Sequence, residues 1–353
     1  MRRGIADALV AMFHTVTIFD LRLGLPVNYL RSKATPVGGR VHRQGIPVQT
    51  TIRSAITFAG TGLHSGAPAR MTIRPASADY GIWFKRTDIS LGDTLIPARF
   101  DVVEVSPLCT KIVNRAGVSV STIEHVMAAL AGCGVHNALI EIDGPEVPIM
   151  DGSSAAFVRG ILARGVRALS APVRAIEIVT PIEVHTASGW ARLSPGRGTT
   201  MKFHIDFVDE AIGQQTREMN LANGSFVREL CDSRTFCRRA EVDYMQANGL
   251  ALGGVPGENA VVFDGDRVEG TELRHADEPV RHKMLDALGD LSLAGAPIIG
   301  HYDGHKAGHA ITNALLREIF ATPGAYRVVL CDEAMAARLP GAGVERHEIP
   351  AVA

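Results

Sequence analysis

The chain has 353 residues, of which 46% are hydrophobic and 21% charged, and its 36 basic and 37 acidic residues nearly cancel. This length and composition are typical of a folded protein with one large domain or two ordinary ones. The balanced charge and the low aromatic content of 5% argue against capture of nucleic acid or of an acidic membrane as the main activity.

Residues 1–47 form an N-terminal extension. Its first residues, Met1-Arg2-Arg3, are followed by an apolar stretch, as in a signal peptide, but charged residues interrupt that stretch. The sequence contains no run of 18 apolar residues, so no transmembrane segment is expected. We expect a poorly ordered extension, and a targeting peptide or a start-site artefact is the alternative.

The chain after the extension alternates between strand and helix patterns. Strands are predicted over 51–59, 69–74, 81–86 and 138–142, and helices over 121–131 and 158–163. After a break at Ala171-Pro172, strands are predicted over 175–179, 182–185 and 201–207, and helices over 226–247 and 278–293.

The two halves of the chain resemble each other weakly. The segment HVMAALAG from His125 has a counterpart in HKMLDALG from His282. The sequence therefore predicts an α+β fold of two similar domains, 48–170 and 173–335, followed by a C-terminal tail at 336–353. Each domain is expected to be a sandwich of β-sheet and α-helices, with the active site between the two domains.

The five cysteines do not suggest a cross-linked or thiolate-rich protein. No two of them have CxxC spacing, and their number is odd. Neither a disulfide framework nor a thiolate zinc site is indicated, and a reducing, cytoplasmic location is the plain interpretation.

The segment RHKMLDALGD at 281–290 carries a histidine and two carboxylates one helical turn apart. His282 and Asp286 share a helix face, and Asp290 lies one turn further along. A neutral imidazole and a carboxylate suit zinc as ligands. A solvated His–Asp pair has the same spacing, so the spacing alone leaves both interpretations open.

The segment STIEH that begins at Ser121 also has two interpretations. Ser-x-x-Glu is the capping-box pattern, in which Ser121 caps the helix and Glu124 reaches back. Alternatively, Glu124 is a general base beside a metal ligand, His125. That histidine would complete the three protein ligands of a catalytic zinc site with His282 and Asp286.

A third histidine segment is HKAGH at 305–309. His309 follows a glycine, so it can cap a turn, or it can donate a proton while a carboxylate such as Asp290 holds it. His301 and His305 are interpreted as surface residues.

Taken together, these segments make the chain similar to the UDP-3-O-acyl-N-acetylglucosamine deacetylase family over about 51–330. The similarity is carried by GTGLHSG (60–66), STIEHVMAALAG (121–132), DGPEVPIMDGSS (143–154), SRTF (233–236), RHKMLDALGD (281–290) and KAGH (306–309). The resemblance implies zinc-dependent hydrolysis of the N-acetyl group of a UDP-linked, 3-O-acylated N-acetylglucosamine, the committed step towards the lipid A of a Gram-negative outer membrane. We expect a cytoplasmic monomer whose partner is this substrate.

The resemblance also implies roles for individual residues, in three groups. The residues that match metal ligands are His125, His282 and Asp286. Those that match the catalytic groups are Glu124 as general base, His309 as acid paired with Asp290, and Thr235 and Lys283 as stabilisers of the oxyanion. Those that match substrate contacts are Asp206, Phe207 and Lys306 for the nucleotide, and Phe236 for the passage of the acyl chain. Ferrous iron accepts the same two-histidine, one-carboxylate set.

The sequence departs from the family pattern after Phe236, where Cys237-Arg238-Arg239 replace glycine and apolar residues. The two arginines either extend outwards or change the preference for acyl chain length. His64, in the first glycine-rich motif, is assigned to a structural turn.

Three other functions are weighed against this interpretation. A related zinc deacetylase acting on another N-acetylated sugar nucleotide is the main alternative, against which the matches at Asp206, Phe207 and Lys306 argue. A non-catalytic binding protein would not need the complete set of catalytic residues. A serine hydrolase would need a GxSxG elbow, which is absent around Ser153 and Ser154.

Overall fold

A computed structural model of the protein describes residues 46–106 and 108–351. The extension predicted over 1–47 therefore lies outside the described residues up to residue 45. The α-helices are α1 (Glu124–Gly132), α2 (Ala155–Arg164), α3 (Ser225–Glu229), α4 (Arg239–Ala247), α5 (Glu278–Leu291), α6 (His309–Ala321) and α7 (Glu333–Ala336). Short 3-10 helices are present at Phe100–Val102, Ser292–Ala294 and Arg346–Glu348.

The strands are short and are distributed over the whole described chain. They are β1 (Val48–Ile52), β2 (Ile56–Thr61), β3 (Pro68–Pro75), β4 (Ile82–Arg86), β5 (Leu95–Pro97), β6 (Val103–Glu104), β7 (Lys111–Val113), β8 (Ser119–Val120), β9 (Ala138–Ile142), β10 (Val166–Pro172), β11 (Arg174–Ile178), β12 (Ile182–His185), β13 (Trp190–Ser194), β14 (Thr199–Asp206), β15 (Gln214–Asn220), β16 (Phe236–Arg238), β17 (Val261–Asp264), β18 (Arg267–Glu269), β19 (Ile298–His305) and β20 (Tyr326–Leu330).

A five-stranded sheet in the first half has the order β2-β3-β9-β4-β5. Its pairs are antiparallel except β4 with β9. Side chains alternate across a strand, so residues in register share one face. Ile73, Ile140 and Phe84 are in register on β3, β9 and β4 and are fully buried. Buried residues alternate with more exposed ones along β3 and β9, and this alternation is why the sheet buries one face.

A seven-stranded sheet in the second half is built around β19. This strand is antiparallel to β13 and parallel to β11 and β14, while β12, β15 and β20 extend the sheet outwards. Leu193, Tyr302 and Met201 are in register on β13, β19 and β14 and are buried. Smaller sheets pair β1 with β10, β6 with β7 and β8, and β16 with β17 and β18.

The mixture of sheets and helices confirms the predicted α+β class. One continuous buried cluster contains residues from the two large sheets and from α1 and α5, which pack against each other. The division into domains at 48–170 and 173–335, with a tail from 336, stays a prediction. Within the described ranges, no helix is both long and apolar enough to cross a bilayer.

The helix predicted over 226–247 is wrong. The chain forms the short α3, leaves the helical path, and forms β16 before α4 begins. The helix ends at Leu230, the C-cap of α3, and Arg234 then donates both its backbone N–H and its guanidinium to buried Glu278, 2.9 Å away. The N–H of Thr235 donates to the carbonyl of Gly152, and its carbonyl accepts the N–H of Val261. These backbone groups therefore have partners outside any helix. The strand predicted over 51–59 is likewise divided into β1 and β2.

Candidate active site

The three residues that match metal ligands lie together in the structure. His125 is the second residue of α1, and His282 and Asp286 face it from successive turns of α5. One potential ligand atom from each residue lies within 4.8 Å of the others, and all three residues are buried. In the described part of the chain, this is the one such group of three or more histidine, cysteine or acidic residues.

The geometry of this cluster fits a metal ion. Asp286 Oδ1 lies 3.5 Å from His125 Nε2 and 3.4 Å from His282 Nε2. Two ligand atoms bound at about 2.0–2.1 Å to one tetrahedral ion are separated by about 3.3–3.4 Å. Asp286 Oδ1 is also buried without a hydrogen-bond partner, and such an oxygen is costly unless a cation or donor satisfies it.

The groups around the cluster keep the ligand atoms in the correct protonation state. His282 Nδ1 donates a hydrogen bond to the backbone carbonyl oxygen of Ser233 at 3.0 Å. This bond leaves Nε2 facing the cluster. Burial lowers the pKa of His282 to about 4, so its imidazole is neutral at pH 7. Burial would raise the pKa of Asp286, but its interactions with the His282 side chain and the Lys283 cation outweigh burial and hold this pKa well below its usual value.

A close approach of α1 and α5 at Gly289 brings the ligands together. A Cβ atom at this position would lie 2.1 Å from the carbonyl oxygen of Glu124. Only glycine, which has no Cβ, permits this approach.

We therefore expect Gly289→Ala to separate the two helices, to cost about 1–3 kcal/mol of unfolding free energy, and to weaken metal binding. Chemical unfolding and metal analysis measure both effects. Gly144→Ala is the control, because the nearest atom to its added Cβ is 4.0 Å away. A Gly289→Ala protein as stable and as rich in metal as the wild type would contradict this account of the helix crossing.

Glu124 is the first residue of α1 and is buried beside the cluster. The capping-box interpretation is wrong, because the cap residue is Ile123 and no side chain caps the helix. Ser121 instead donates its hydroxyl to Pro145, and Glu124 Oε2 accepts the backbone N–H of Thr110 at 3.0 Å. Burial raises the pKa of Glu124, and the neighbouring histidines oppose that rise.

His309 is the first residue of α6 and faces Glu124 from the opposite side. Its Nε2 lies 3.9 Å from Glu124 Oε1, and its Nδ1 is hydrogen-bonded to Asp290 Oδ2 at 2.8 Å. Burial alone would lower the pKa of His309. The charges of Asp290 and Glu124 outweigh burial and raise it to about 9. The imidazole is therefore protonated at neutral pH.

Lys283 and Thr235, the two residues that match oxyanion stabilisers, lie on α5 and just before β16. Lys283 Nζ donates to Asp286 Oδ2 at 3.0 Å. Burial would lower the pKa of Lys283, but Asp286 outweighs it and raises this pKa, so the side chain stays a cation. Thr235 is half-buried and follows Ser233 by two residues.

The residues that match substrate contacts form a continuous path to the cluster. Lys306 Nζ donates to Asp206 Oδ2 at 3.0 Å, and both side chains are 38% exposed, so a ligand can reach them. The ring of Phe207 meets Phe236 edge-on at 5.6 Å, and Phe236 meets the His282 ring at 6.2 Å.

Three motif residues, Thr122, Met150 and Lys306, have a left-handed backbone although none of them is glycine. Thr122, two residues before Glu124, has φ 57°, and Lys306 has φ 52°. This conformation is unusual for a β-branched residue. Thr122 is held in it by donation of its hydroxyl to Glu146 Oε1 at 3.0 Å. Such strain concentrates at functional sites, where the surrounding structure maintains it.

The structure also shows where the arginines after Phe236 and the histidine of the first glycine-rich motif lie. Arg238 and Arg239 are ion-paired to Asp209 and Glu269. His64 lies in a turn whose N–H groups donate to Glu146, and its two ring nitrogens are buried without a hydrogen-bond partner in the described chain.

One site residue, Thr110, was not predicted from the sequence. It bonds to Glu124 and Asp290, which are 14 and 180 residues away. No local motif signals such contacts.

The fold and the site define a class of protein. A buried two-histidine, one-carboxylate cluster, next to a carboxylate and a protonated histidine, is the arrangement that metal-dependent hydrolases use. Residues 49–321 match the model of the LpxC family, described as UDP-3-O-acyl N-acetylglycosamine deacetylase.

Curated relatives agree with this match. The UDP-3-O-acyl-N-acetylglucosamine deacetylase of Phenylobacterium zucineum (strain HLK1) is 48% identical over 79% of this chain and 96% of its own length. Those of Idiomarina loihiensis and Shewanella frigidimarina are 43% and 42% identical, over 82% and 81% of this chain and 94% of their own lengths. The chain belongs to the LpxC family, which confirms the resemblance found in its motifs.

Proposed function

We propose that the protein hydrolyses the N-acetyl group of UDP-3-O-[(3R)-3-hydroxyacyl]-N-acetylglucosamine. The products are acetate and UDP-3-O-acyl-glucosamine, which makes the reaction the committed step of lipid A biosynthesis. The observation that carries the proposal is the buried cluster of His125, His282 and Asp286, together with Glu124 and His309, which face each other at 3.9 Å. Family membership supports the substrate class.

The cluster is proposed to hold zinc through His125, His282 and Asp286. When bound, zinc supplies Lewis-acid chemistry, because it lowers the pKa of water to about 7 and polarises a carbonyl group. The nitrogen and oxygen donors also suit ferrous iron, so the choice between the two metals belongs to this proposal.

Glu124 and His309 are proposed to move the protons. Glu124 is the general base, which takes the proton of the attacking water. Its Oε2 is held by Thr110, so Oε1 faces the site. His309 is the general acid, which gives its proton to the leaving amine of the glucosamine. Asp290 keeps this imidazole protonated and oriented.

The oxyanion and the substrate are proposed to be held by the remaining matched residues. Lys283 is a buried cation next to the cluster and can stabilise the negative charge that develops on the carbonyl oxygen. Thr235 is proposed as a second donor. Lys306, with Asp206 and Phe207, is proposed to contact the nucleotide, and Phe236 borders the passage for the acyl chain.

Three broader expectations belong to the same proposal. The protein is proposed to have two α+β domains and to act as a monomer. It is also proposed to be cytoplasmic, because its five cysteines are free thiols, four of them buried, and free thiols suit a reducing compartment.

Acetate release from three compounds tests the substrate assignment. We expect rapid release from the UDP-linked 3-O-acyl substrate, and slow release from UDP-N-acetylglucosamine, because the latter lacks the chain that Phe236 is proposed to contact. A second N-acetylated sugar nucleotide serves as the third compound. If it were hydrolysed faster than the acylated substrate, the alternative of a related deacetylase would be correct.

A further inference from the structure

Thr110 bonds to two carboxylates of the site, that of Glu124 and that of Asp290, which holds His309. Thr110 is 3% exposed and lies just before β7. Its backbone N–H donates to Glu124 Oε2 at 3.0 Å, and its hydroxyl donates to Asp290 Oδ1 at 2.5 Å. Its carbonyl accepts the N–H of Ile123, the cap residue of α1, at 3.4 Å. All three polar groups of Thr110 are thus committed to the site.

These bonds occupy one oxygen of each carboxylate and leave the other oxygen facing His309. Asp290 uses Oδ1 for Thr110 and Oδ2 for His309 Nδ1, at 2.8 Å. Glu124 uses Oε2 for Thr110, and its Oε1 faces His309 Nε2. Ionised carboxylates only accept hydrogen bonds, so the hydroxyl of Thr110 must be the donor.

We propose that Thr110 is a positioning residue that orients Asp290 towards His309 through its hydroxyl and Glu124 through its backbone N–H. The catalytic consequence rests on the proposed function, whereas the effect on His309 does not. The Thr110 hydroxyl and the His309 imidazole each bond to one oxygen of the Asp290 carboxylate, so both interact with its negative charge. Removing the hydroxyl concentrates that charge on the imidazole.

A substitution at Thr110 removes none of the other ionisable groups around His309 and Asp290. They are Glu124 on α1, Asp286 and Lys283 on α5, Tyr302 on β19, and His64 on the turn after β2. A change in the titration of His309 on substitution of Thr110 therefore reports on Asp290.

The test compares Thr110→Val, which lacks the hydroxyl but keeps the N–H, with Thr110→Ser, which keeps both. We expect Thr110→Val to retain its metal and its KM and to lose about 10-fold in kcat, as for a lost hydrogen bond to a charged group. The NMR titration midpoint of His309 should rise in Thr110→Val, and Thr110→Ser should recover most of both properties. Thr199→Val is the control, because Thr199 is also buried and donates its hydroxyl to Ile298, away from the site.

Thr110→Ala, a second variant without the hydroxyl, replaces Thr110→Val if the valine does not fold. The proposal is overturned if the His309 midpoint stays at its wild-type value in a folded variant that lacks the hydroxyl. It is also overturned if Thr110→Ser is as impaired as that variant. The titration needs no substrate, so it tests Thr110 even if the enzyme proves to act on a different sugar nucleotide.

Discussion

Asp286→Ala is expected to lose both the metal and the activity, whereas Glu124→Ala is expected to keep the metal and lose turnover. Asp286 supplies one of the three ligand atoms, and its Oδ1 has no other partner. Glu124 lies outside this cluster and is proposed only to take a proton. Its loss should lower kcat by about 10²–10⁴-fold. Metal analysis of the purified proteins, together with acetate release, separates the two effects.

Asp277→Ala is the matched control for these variants. Asp277 precedes the first residue of α5, where it is paired with Arg217 and Arg281, away from the cluster. The variant should keep its metal. A metal-free Glu124→Ala protein, or one with full activity, would show that the role assigned to this residue is wrong.

His309→Ala is expected to lower the rate by about 10²–10⁴-fold, as is typical for a lost general acid, and to flatten the basic limb of the pH profile. An acid must be protonated to act. Its protonated fraction falls as the pH rises through its pKa, which is about 9 for His309. The wild-type rate should therefore decline on the basic side near this pH. Steady-state kinetics across the pH range measure it.

Asp290→Asn should move this decline to lower pH. The carboxylate of Asp290 is the strongest influence that raises the pKa of His309 against burial, and asparagine lacks its charge. The exposed His185→Ala is the control, and its profile should match the wild type. If His309→Ala kept the wild-type basic limb, another group would be the donor, and Lys283 would be the first residue to examine.

The sequence was sufficient to predict groups that lie one helical turn apart. His282 and Asp286 share a face of α5 because of their spacing, and the motif resemblance paired them with His125 on α1. These contacts follow from helix periodicity once the two helices are placed together. The close approach at Gly289 is what places them together, and it is visible only in the structure.

Contacts that depend on loops could not be predicted in this way. The helix predicted over 226–247 is not formed, and the backbone between α3 and α4 bonds to distant partners instead, as Arg234 does to buried Glu278. The capping box at Ser121 has the correct residue types, but tertiary partners, Pro145 and Thr110, take both side chains. Local patterns carry no information about such partners, because they come from distant parts of the chain.

Metal reconstitution tests the central claim most directly. Metal-free protein, prepared with a chelator, is titrated with zinc while acetate release from the UDP-linked acylated substrate is measured. We expect no activity at the start, a rise in proportion to added zinc, and a plateau at about one zinc per chain, since three ligands form one site. Full activity in protein shown by metal analysis to contain no metal would contradict the account.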